Sequence, residues 1–266
     1  AGGAFGEAAM TDSGSARTVR EWARGTPLAD AKLVYEGERA DVAASGDAYW
    51  DRGARYEMRA RSLTFYTARH ELAIDGGAFG VVPVPDDASV GTFADQVLVT
   101  LRSEWLGHAP GTMLAAPAKA FMASADDDAR RAMLQVLFAP SDSCSLDGVA
   151  ETKNFLVVSV LDDVVSACRF WRYADGKFSL ERTFQGEMGV VPGVSGVDAQ
   201  ESDAIWVTSD GYTKPPTLAL ADASDPDAQE ELKALPAMFD AAGVKTEQHF
   251  ATSADGTKVP YFLVMR

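Results

Sequence analysis

The chain has 266 residues, 47% of them hydrophobic and 24% charged, which is typical of a soluble globular protein with a sizeable core. Its 39 acidic and 24 basic residues give a formal net charge of −15, so the basic surface needed by nucleic acid or an anionic membrane is not expected. No apolar run approaches the roughly 20 residues of a membrane-spanning helix.

The amino-terminal residues, AGGAF, contain no basic region followed by an apolar one, so no signal peptide is expected. The missing initiator Met suggests a processed or truncated chain. The compartment stays open between the cytoplasm and the periplasm.

Short strands separated by turn residues account for the first part of the chain. Residues 1–16 are small and polar and are predicted to form a loop. The alternation of apolar and polar residues predicts strands at 17–23 and 32–35, which look like the last two strands of a four-stranded unit. Four further strands are predicted at 41–49, 56–63, 65–72 and 79–84, with turns at 75–77 and 85–87.

The next repeat begins at Ser89, with strands predicted at 96–102, 112–116 and 134–138. Residues 117–133 are predicted to form a helix of one to three turns or a solvated excursion. The three acids at 126–128 lack the spacing of an EF-hand calcium loop, so a solvated surface is the preferred interpretation.

Residues 144–185 give the clearest pattern. The sequence FLVVSVLDD at 155–163 is an apolar, Val-rich run that two acids end, which is typical of a strand buried on both faces. Further strands are predicted at 144–152, 166–173 and 177–185, the last two joined by a turn at Asp175 and Gly176. Cys144 and Cys168 fall on the first and third of these strands, about 10 Å apart, which is too far for a disulfide, so both are predicted to be reduced.

The last repeat has strands predicted at 190–197, 204–208 and 217–221. A fourth, at 229–235, is ambiguous between strand and helix because its residues favour helix locally. Residues 244–253 and 258–265 then alternate around a turn at 255–257, which predicts one long hairpin.

The second strands of successive units begin near residues 56, 96, 155 and 204. A spacing of about fifty residues with four strands per repeat is typical of a β-propeller. The prediction is therefore an all-β fold, a partial propeller of about four and a half four-stranded blades. The half blade covers 17–40, and the whole blades cover about 41–88, 89–142, 143–187 and 188–240.

Three segments resemble the prolyl oligopeptidase family of serine peptidases: FLVVSVLDDV at 155–164, SDGYTKPPTL at 209–218 and VKTEQHFATSADGTKVPYF at 244–262. Two shorter ones, TDSG at 11–14 and RGTP at 24–27, resemble its bacterial branch. The resemblance implies a seven-bladed propeller that caps an α/β-hydrolase domain and admits short peptides, which are cut after proline. It also implies that residues 1–240 are part of the propeller, that 241–266 are the first hairpin of the peptidase domain, and that the sequence stops before the catalytic residues.

The residues of this chain offer little catalytic chemistry of their own. A nucleophile elbow requires Gly-x-Ser-x-Gly between a strand and a helix. The nearest candidate, around Ser195, lacks the final Gly, and His70, His108 and His249 fall in three different units. No catalytic residue is therefore predicted, and the chain alone is expected to be inactive. No cofactor and no metal are predicted, because zinc-ligand spacing and phosphate-binding glycine loops are both absent.

An interface role remains. Loops between the second and third strands of each blade share one rim, and the resemblance implies that this rim faces the peptidase domain and the substrate. The rim candidates are Arg59, Arg61, Arg102, Glu104, Asp162, Asp163 and residues 210–214, including Tyr212. Arg61 is the preferred substrate-facing residue, because a guanidinium can hold a peptide carbonyl or carboxylate by paired hydrogen bonds. The aromatic residues Phe65, Trp171 and Trp206 are predicted to pack in the core or between blades.

The expected partners are short peptides bound through the parent enzyme, together with the peptidase domain and the remaining blades. Self-association is also expected, because an open ring leaves an apolar blade face uncovered. Two alternatives stay open. One is a free-standing propeller that serves as a binding module. The other is an enzyme of glycosidase type that uses carboxylates among Asp162, Asp163, Asp198 and Asp210.

Overall fold

A computed structural model describes residues 5–266 of the chain. Antiparallel strands dominate it, and two short α-helices interrupt them. The described chain divides into two compact units between Val136 and Leu137, which we call the first and second units.

The first unit contains one two-stranded sheet and two four-stranded sheets. The two-stranded sheet pairs β1 (Thr18–Glu21) with β2 (Lys32–Glu36). The next sheet consists of β3 (Ala43–Asp51), β4 (Ala54–Ser62), β5 (Ala68–Ile74) and β6 (Gly80–Val81). The third consists of β7 (Ser89–Phe93), β8 (Gln96–Thr100), β9 (Met113–Pro117) and β10 (Gln135–Phe138), with the division between the units falling inside β10. Helices α1 (Ala118–Ala123) and α2 (Asp127–Met133) connect β9 to β10.

The second unit contains two four-stranded sheets and a hairpin. The first sheet consists of β11 (Cys144–Glu151), β12 (Phe155–Asp162), β13 (Val165–Ala174) and β14 (Lys177–Gln185). The second consists of β15 (Val190–Gly196), β16 (Ala204–Gly211), β17 (Thr217–Asp222) and β18 (Asp225–Ala234). The hairpin pairs β19 (Lys245–Thr252) with β20 (Lys258–Met265).

Strands that follow one another in sequence are neighbours in every four-stranded sheet. The turn from the second to the third strand therefore lies at the same end of the sheet as the exit from the fourth strand. We call this end the rim end. The arrangement confirms the predicted all-β fold of four-stranded antiparallel, blade-like sheets.

The core of the second unit is centred on β12, as the apolar run predicts. Its residues Phe155, Leu156, Val157 and Val158 are each at most 1% exposed, so both faces of the strand are buried. Phe155 and Val157 pack in one cluster with Cys168 and Phe170 of β13 and with residues of the β15–β18 sheet. Both cysteines lie on the predicted strands and are free and buried. The two sheets of this unit thus share one apolar core.

The core of the first unit has the same construction. Tyr56 and Leu72 of the β3–β6 sheet pack in one cluster with Val97 and Leu114 of the β7–β10 sheet and with Phe121 of α1. These five side chains are at most 1% exposed. Helix α1, which lies within the segment 117–133, therefore packs its apolar side chains against this core.

A polar network joins the two sheets of the second unit. The carboxylate of Asp203, just before β16, accepts hydrogen bonds from Thr152 Oγ1 (2.8 Å), from the Asn154 backbone N–H (2.8 Å) and from Asn154 Nδ2 (2.7 Å). Desolvation acts to raise the pKa of Asp203, but these hydrogen bonds outweigh it and the net pKa is lowered. The ionised form of Asp203 therefore links the β11–β14 sheet to the β15–β18 sheet by hydrogen bonds.

The structure corrects two details of the predicted strands and decides one that was ambiguous. The fourth strand predicted at 79–84 is reduced to Gly80–Val81, because Pro83 has no N–H to continue the ladder. Phe65 was predicted in a strand and packed, but it lies in the turn before β5 and is 89% exposed. The ambiguous segment at 229–235 belongs to strand β18, where pairing with β17 overrides the local helix preference.

Candidate functional site

The predicted site residues lie towards the rim ends of the sheets, and the two units are described separately. In the first unit, Arg59 and Arg61 were given as rim-loop candidates although they also fall in the strand predicted at 56–63, and both lie within strand β4. Arg102 and Glu104 do lie in the connection between β8 and β9, as predicted.

Arg61 is the centre of a charged cluster. Its Nε and Nη2 atoms donate to the two carboxylate oxygens of Asp41 at 2.7 and 3.0 Å, and Nη2 lies 2.9 Å from a carboxylate oxygen of Glu38. Asp41 is only 5% exposed and also accepts the backbone N–H of Glu38 at 2.7 Å. The hydrogen bond from Arg61 is the main reason that the pKa of Asp41 is lowered. Two of the three guanidinium nitrogens are therefore already engaged inside the chain.

Arg59, two residues earlier on the same strand, stacks on aromatic rings. Its guanidinium carbon lies 3.5 Å from the centroid of Phe79 and 5.3 Å from that of Tyr35. Desolvation, and then the charge of Glu71, raise the pKa of Tyr35, so that ring stays neutral. These two cation–π contacts hold Arg59 in place.

In the second unit, the turn after β12 and the loop after β16 meet the carboxyl-terminal hairpin. Gln248 of β19 donates its side-chain N–H to the carbonyl oxygen of Asp163, whose own backbone is left-handed, with φ of 45°. The ring of Tyr212 packs against Phe262 of β20 with centroids 5.7 Å apart. Asp162 accepts a hydrogen bond from Ser143 at 3.1 Å.

A cavity of about 350 Å³ opens at this meeting point, and Val164, Asp210, Tyr212 and Phe262 contribute to its wall. The structure thus brings Tyr212 together with the hairpin. Local sequence patterns do not indicate Asp41, Gln248 or Phe262 as parts of these clusters, because each contacts a partner at least 20 residues away.

No serine–histidine pair is present among residues 5–266. His249 contacts Glu247 at 3.1 Å, and the Nδ1 atom of His70 is buried without a hydrogen-bond partner. Ser195 lies inside strand β15, paired with Trp206, so the residues around it form a strand and not a nucleophile elbow. No hydrogen bond therefore joins Ser195 to any of the three histidines within residues 5–266.

Within residues 5–266, no three or more His, Cys, Asp or Glu side chains are grouped so that they could hold a metal ion. None of the helices described is both long and apolar enough to cross a membrane. The acids at 126–128 instead serve helix α2: Asp126 caps it by accepting the Ala129 N–H at 3.0 Å, and Asp127 pairs with Arg130 at 2.6 Å.

Comparison with known proteins identifies relatives over nearly the whole chain. No protein-family model matches. An uncharacterised peptidase, y4nA, from Sinorhizobium fredii is 35% identical over 268 residues, which covers 97% of this chain and 36% of that protein.

Solved structures show the same fold. The structure of a post-proline cleaving enzyme from Rickettsia typhi matches with a TM-score of 0.76 at 20% identity, over 98% of this chain and 38% of that one. Oligopeptidase B from Trypanosoma brucei, with covalently bound antipain, matches with a TM-score of 0.66 at 17% identity, over 96% of this chain and 36% of that one. The chain thus spans little more than a third of the length of these proteins. Over nearly all of its own length, the chain is therefore similar to a peptidase and has the fold of the matching part of these solved peptidases.

Proposed function

We propose that this chain is the propeller portion of a serine peptidase of the prolyl oligopeptidase type, and that it controls which peptides reach the catalytic centre. The peptides are short and contain proline, and the catalytic residues belong to an α/β-hydrolase portion that works with this chain. Residues 241–266 are proposed to be the first hairpin of that portion, and residues 1–240 to be propeller.

The observation that carries the proposal is the match to a peptidase at 35% identity across a segment built of four-stranded sheets. Rim residues supply groups suited to peptides. Among them, Arg61 and Arg59 carry guanidinium groups, and Tyr212 lines a cavity next to the hairpin. The substrate-facing role of Arg61 stays a prediction, since its guanidinium also binds Asp41 and Glu38.

The purified 266-residue chain is expected not to hydrolyse a fluorogenic peptide that ends in Gly-Pro-aminomethylcoumarin. The physical reason is that no hydrogen bond within residues 5–266 joins Ser195 to a histidine ring; His249 contacts Glu247, and Nδ1 of His70 has no partner. The measurement is fluorescence release by the chain and by its Ser195→Ala variant. Turnover by the purified chain would overturn the proposal, and its loss in Ser195→Ala would assign that turnover to Ser195.

The isolated chain is also expected to self-associate through the hairpin. On one face of β20, Val259, Tyr261, Leu263 and Met265 are 38–47% exposed, which makes a continuous apolar stripe. Light scattering should report a mass above the monomer value of 28.3 kDa that rises with concentration.

The variant Tyr261→Ser/Leu263→Ser should shift that mass towards the monomer. Val81→Ser, which removes a similarly exposed side chain from strand β6, should not. A monomeric mass over the whole concentration range would contradict the expectation.

A further inference from the structure

The turn between β4 and β5 presents two aromatic side chains to solvent. Phe65 is 89% exposed and Tyr66 is 77% exposed. The turn that carries them is ordered by its own hydrogen bonds: Thr64 Oγ1 accepts the backbone N–H groups of Tyr66 and Thr67, both at 3.1 Å, and lies 2.7 Å from Thr67 Oγ1. A fixed turn presents these rings at low entropic cost to a ligand.

A cavity of about 260 Å³ lies beside this turn. The turn forms one wall, residues 86–90 form another, and Arg102 closes a third side. Ala68 N–H donates to the Asp86 carbonyl at 2.7 Å, so the first two walls are tied together. The cavity is therefore built from segments that hold each other in place.

Some of the charged side chains that line this cavity have no ion-pair partner in the described chain. Asp86 pairs with Arg69 at 3.2 Å, and Asp87 accepts a hydrogen bond from Ser103 at 2.9 Å. Arg102 is exposed and forms no ion pair with any carboxylate in the described residues, although the chain carries 39 acids. The Nδ1 atom of His70, which also lines the cavity, is buried without a hydrogen-bond partner. The lining groups without an ion-pair partner are therefore Asp87, which is held only by the Ser103 hydroxyl, and Arg102, which is the one complementary to a carboxylate.

We propose that this cavity binds the carboxyl-terminal residue of a short peptide. Arg102 donates paired hydrogen bonds to the terminal carboxylate, and Phe65 and Tyr66 cover the apolar side chain next to it. The volume is slightly below the roughly 300 Å³ at which typical ligand pockets begin, which suits the end of a peptide better than a whole ligand. The inference rests on the proposed function and deepens it, because it states which end of the peptide the rim recognises.

The test is calorimetric titration of the 266-residue chain with N-acetyl-Ala-Pro-Phe as the free acid and as its carboxyl-terminal amide. The free acid is expected to bind at least about tenfold more tightly than the amide. Arg102→Gln should abolish that preference, and Phe65→Ser should weaken the binding of both peptides. Arg24→Gln, which removes an exposed arginine from another loop, should leave the preference intact.

Thermal melting of each variant checks that it is folded. Equal affinity of the unmodified chain for acid and amide, or a preference that survives in folded Arg102→Gln, would overturn the inference. No turnover is needed for this readout. Hydrolysis by the chain would therefore contradict only the proposed function. A missing preference for the free acid over the amide would contradict only this inference.

Discussion

Replacing Gly196 by alanine is expected to lower the free energy of unfolding of the second unit by about 3 kcal/mol. Gly196 ends strand β15, and a Cβ atom there would lie 2.0 Å from the backbone carbonyl oxygen of Glu151 in β11. A backbone atom cannot rotate away as a flexible side chain can. The first strands of the two sheets would therefore have to separate, and the shared core would loosen.

Urea unfolding followed by circular dichroism measures this effect. The matched control is Gly148→Ala, since Gly148 lies on β11 of the same unit and a Cβ there would meet nothing within 4 Å. The control should change the unfolding free energy by less than about 0.5 kcal/mol. Equal midpoints for the two variants would show that the sheets do not approach each other as closely as described.

Removing the guanidinium of Arg61 is expected to have an effect of similar size, a loss of about 3 kcal/mol in Arg61→Ala. The variant would leave the carboxylate of Asp41 buried, with only the Glu38 backbone N–H as a partner. The comparison is Arg69→Ala, because Arg69 lies directly opposite Arg61 across β4 and β5 and its pair with Asp86 is about half exposed. That surface pair should contribute less than about 1 kcal/mol.

The pairing of Arg61 with Asp41 also predicts how the stability of the protein changes with pH. Because Arg61 lowers the pKa of Asp41 below its unfolded value, the stability that this carboxylate contributes is complete at neutral pH. It is lost as the pH falls below about 4 and through the folded-state pKa. In Arg61→Ala the acid-induced loss of stability should be smaller. If the stability of that variant falls with pH as much as that of the unmodified chain, another carboxylate controls the acid-induced loss.

Much of the fold follows from local patterns. The run at 155–163 predicted β12 because a strand buried on both faces must be apolar at every position, and the turn at Asp175 and Gly176 marked the hairpin of β13 and β14. Local patterns failed at Phe65, where weak hydrogen bonds between neighbouring residues decide the structure. Phe65 continues an apolar alternation, yet the hydroxyl groups of Thr64 and Thr67 close a turn there.

The clusters around the candidate site could be predicted only in part. Arg61 and Tyr212 drew attention because arginine and tyrosine suit peptide binding. Their actual neighbours, Asp41 and Phe262, are 20 and 50 residues away in sequence, and no turn or periodicity links them. Long-range pairing decides whether a rim arginine faces a ligand or a carboxylate of its own chain, and that information is absent from any single window of sequence.

Every sheet in the described chain is assembled from strands adjacent in sequence, and this has an evolutionary consequence. A whole sheet can be duplicated or deleted as one contiguous stretch without rewiring the others, because no strand is exchanged between sheets. Such a gene can change the number of its modules by simple recombination, while the loops at one end diverge to suit different ligands.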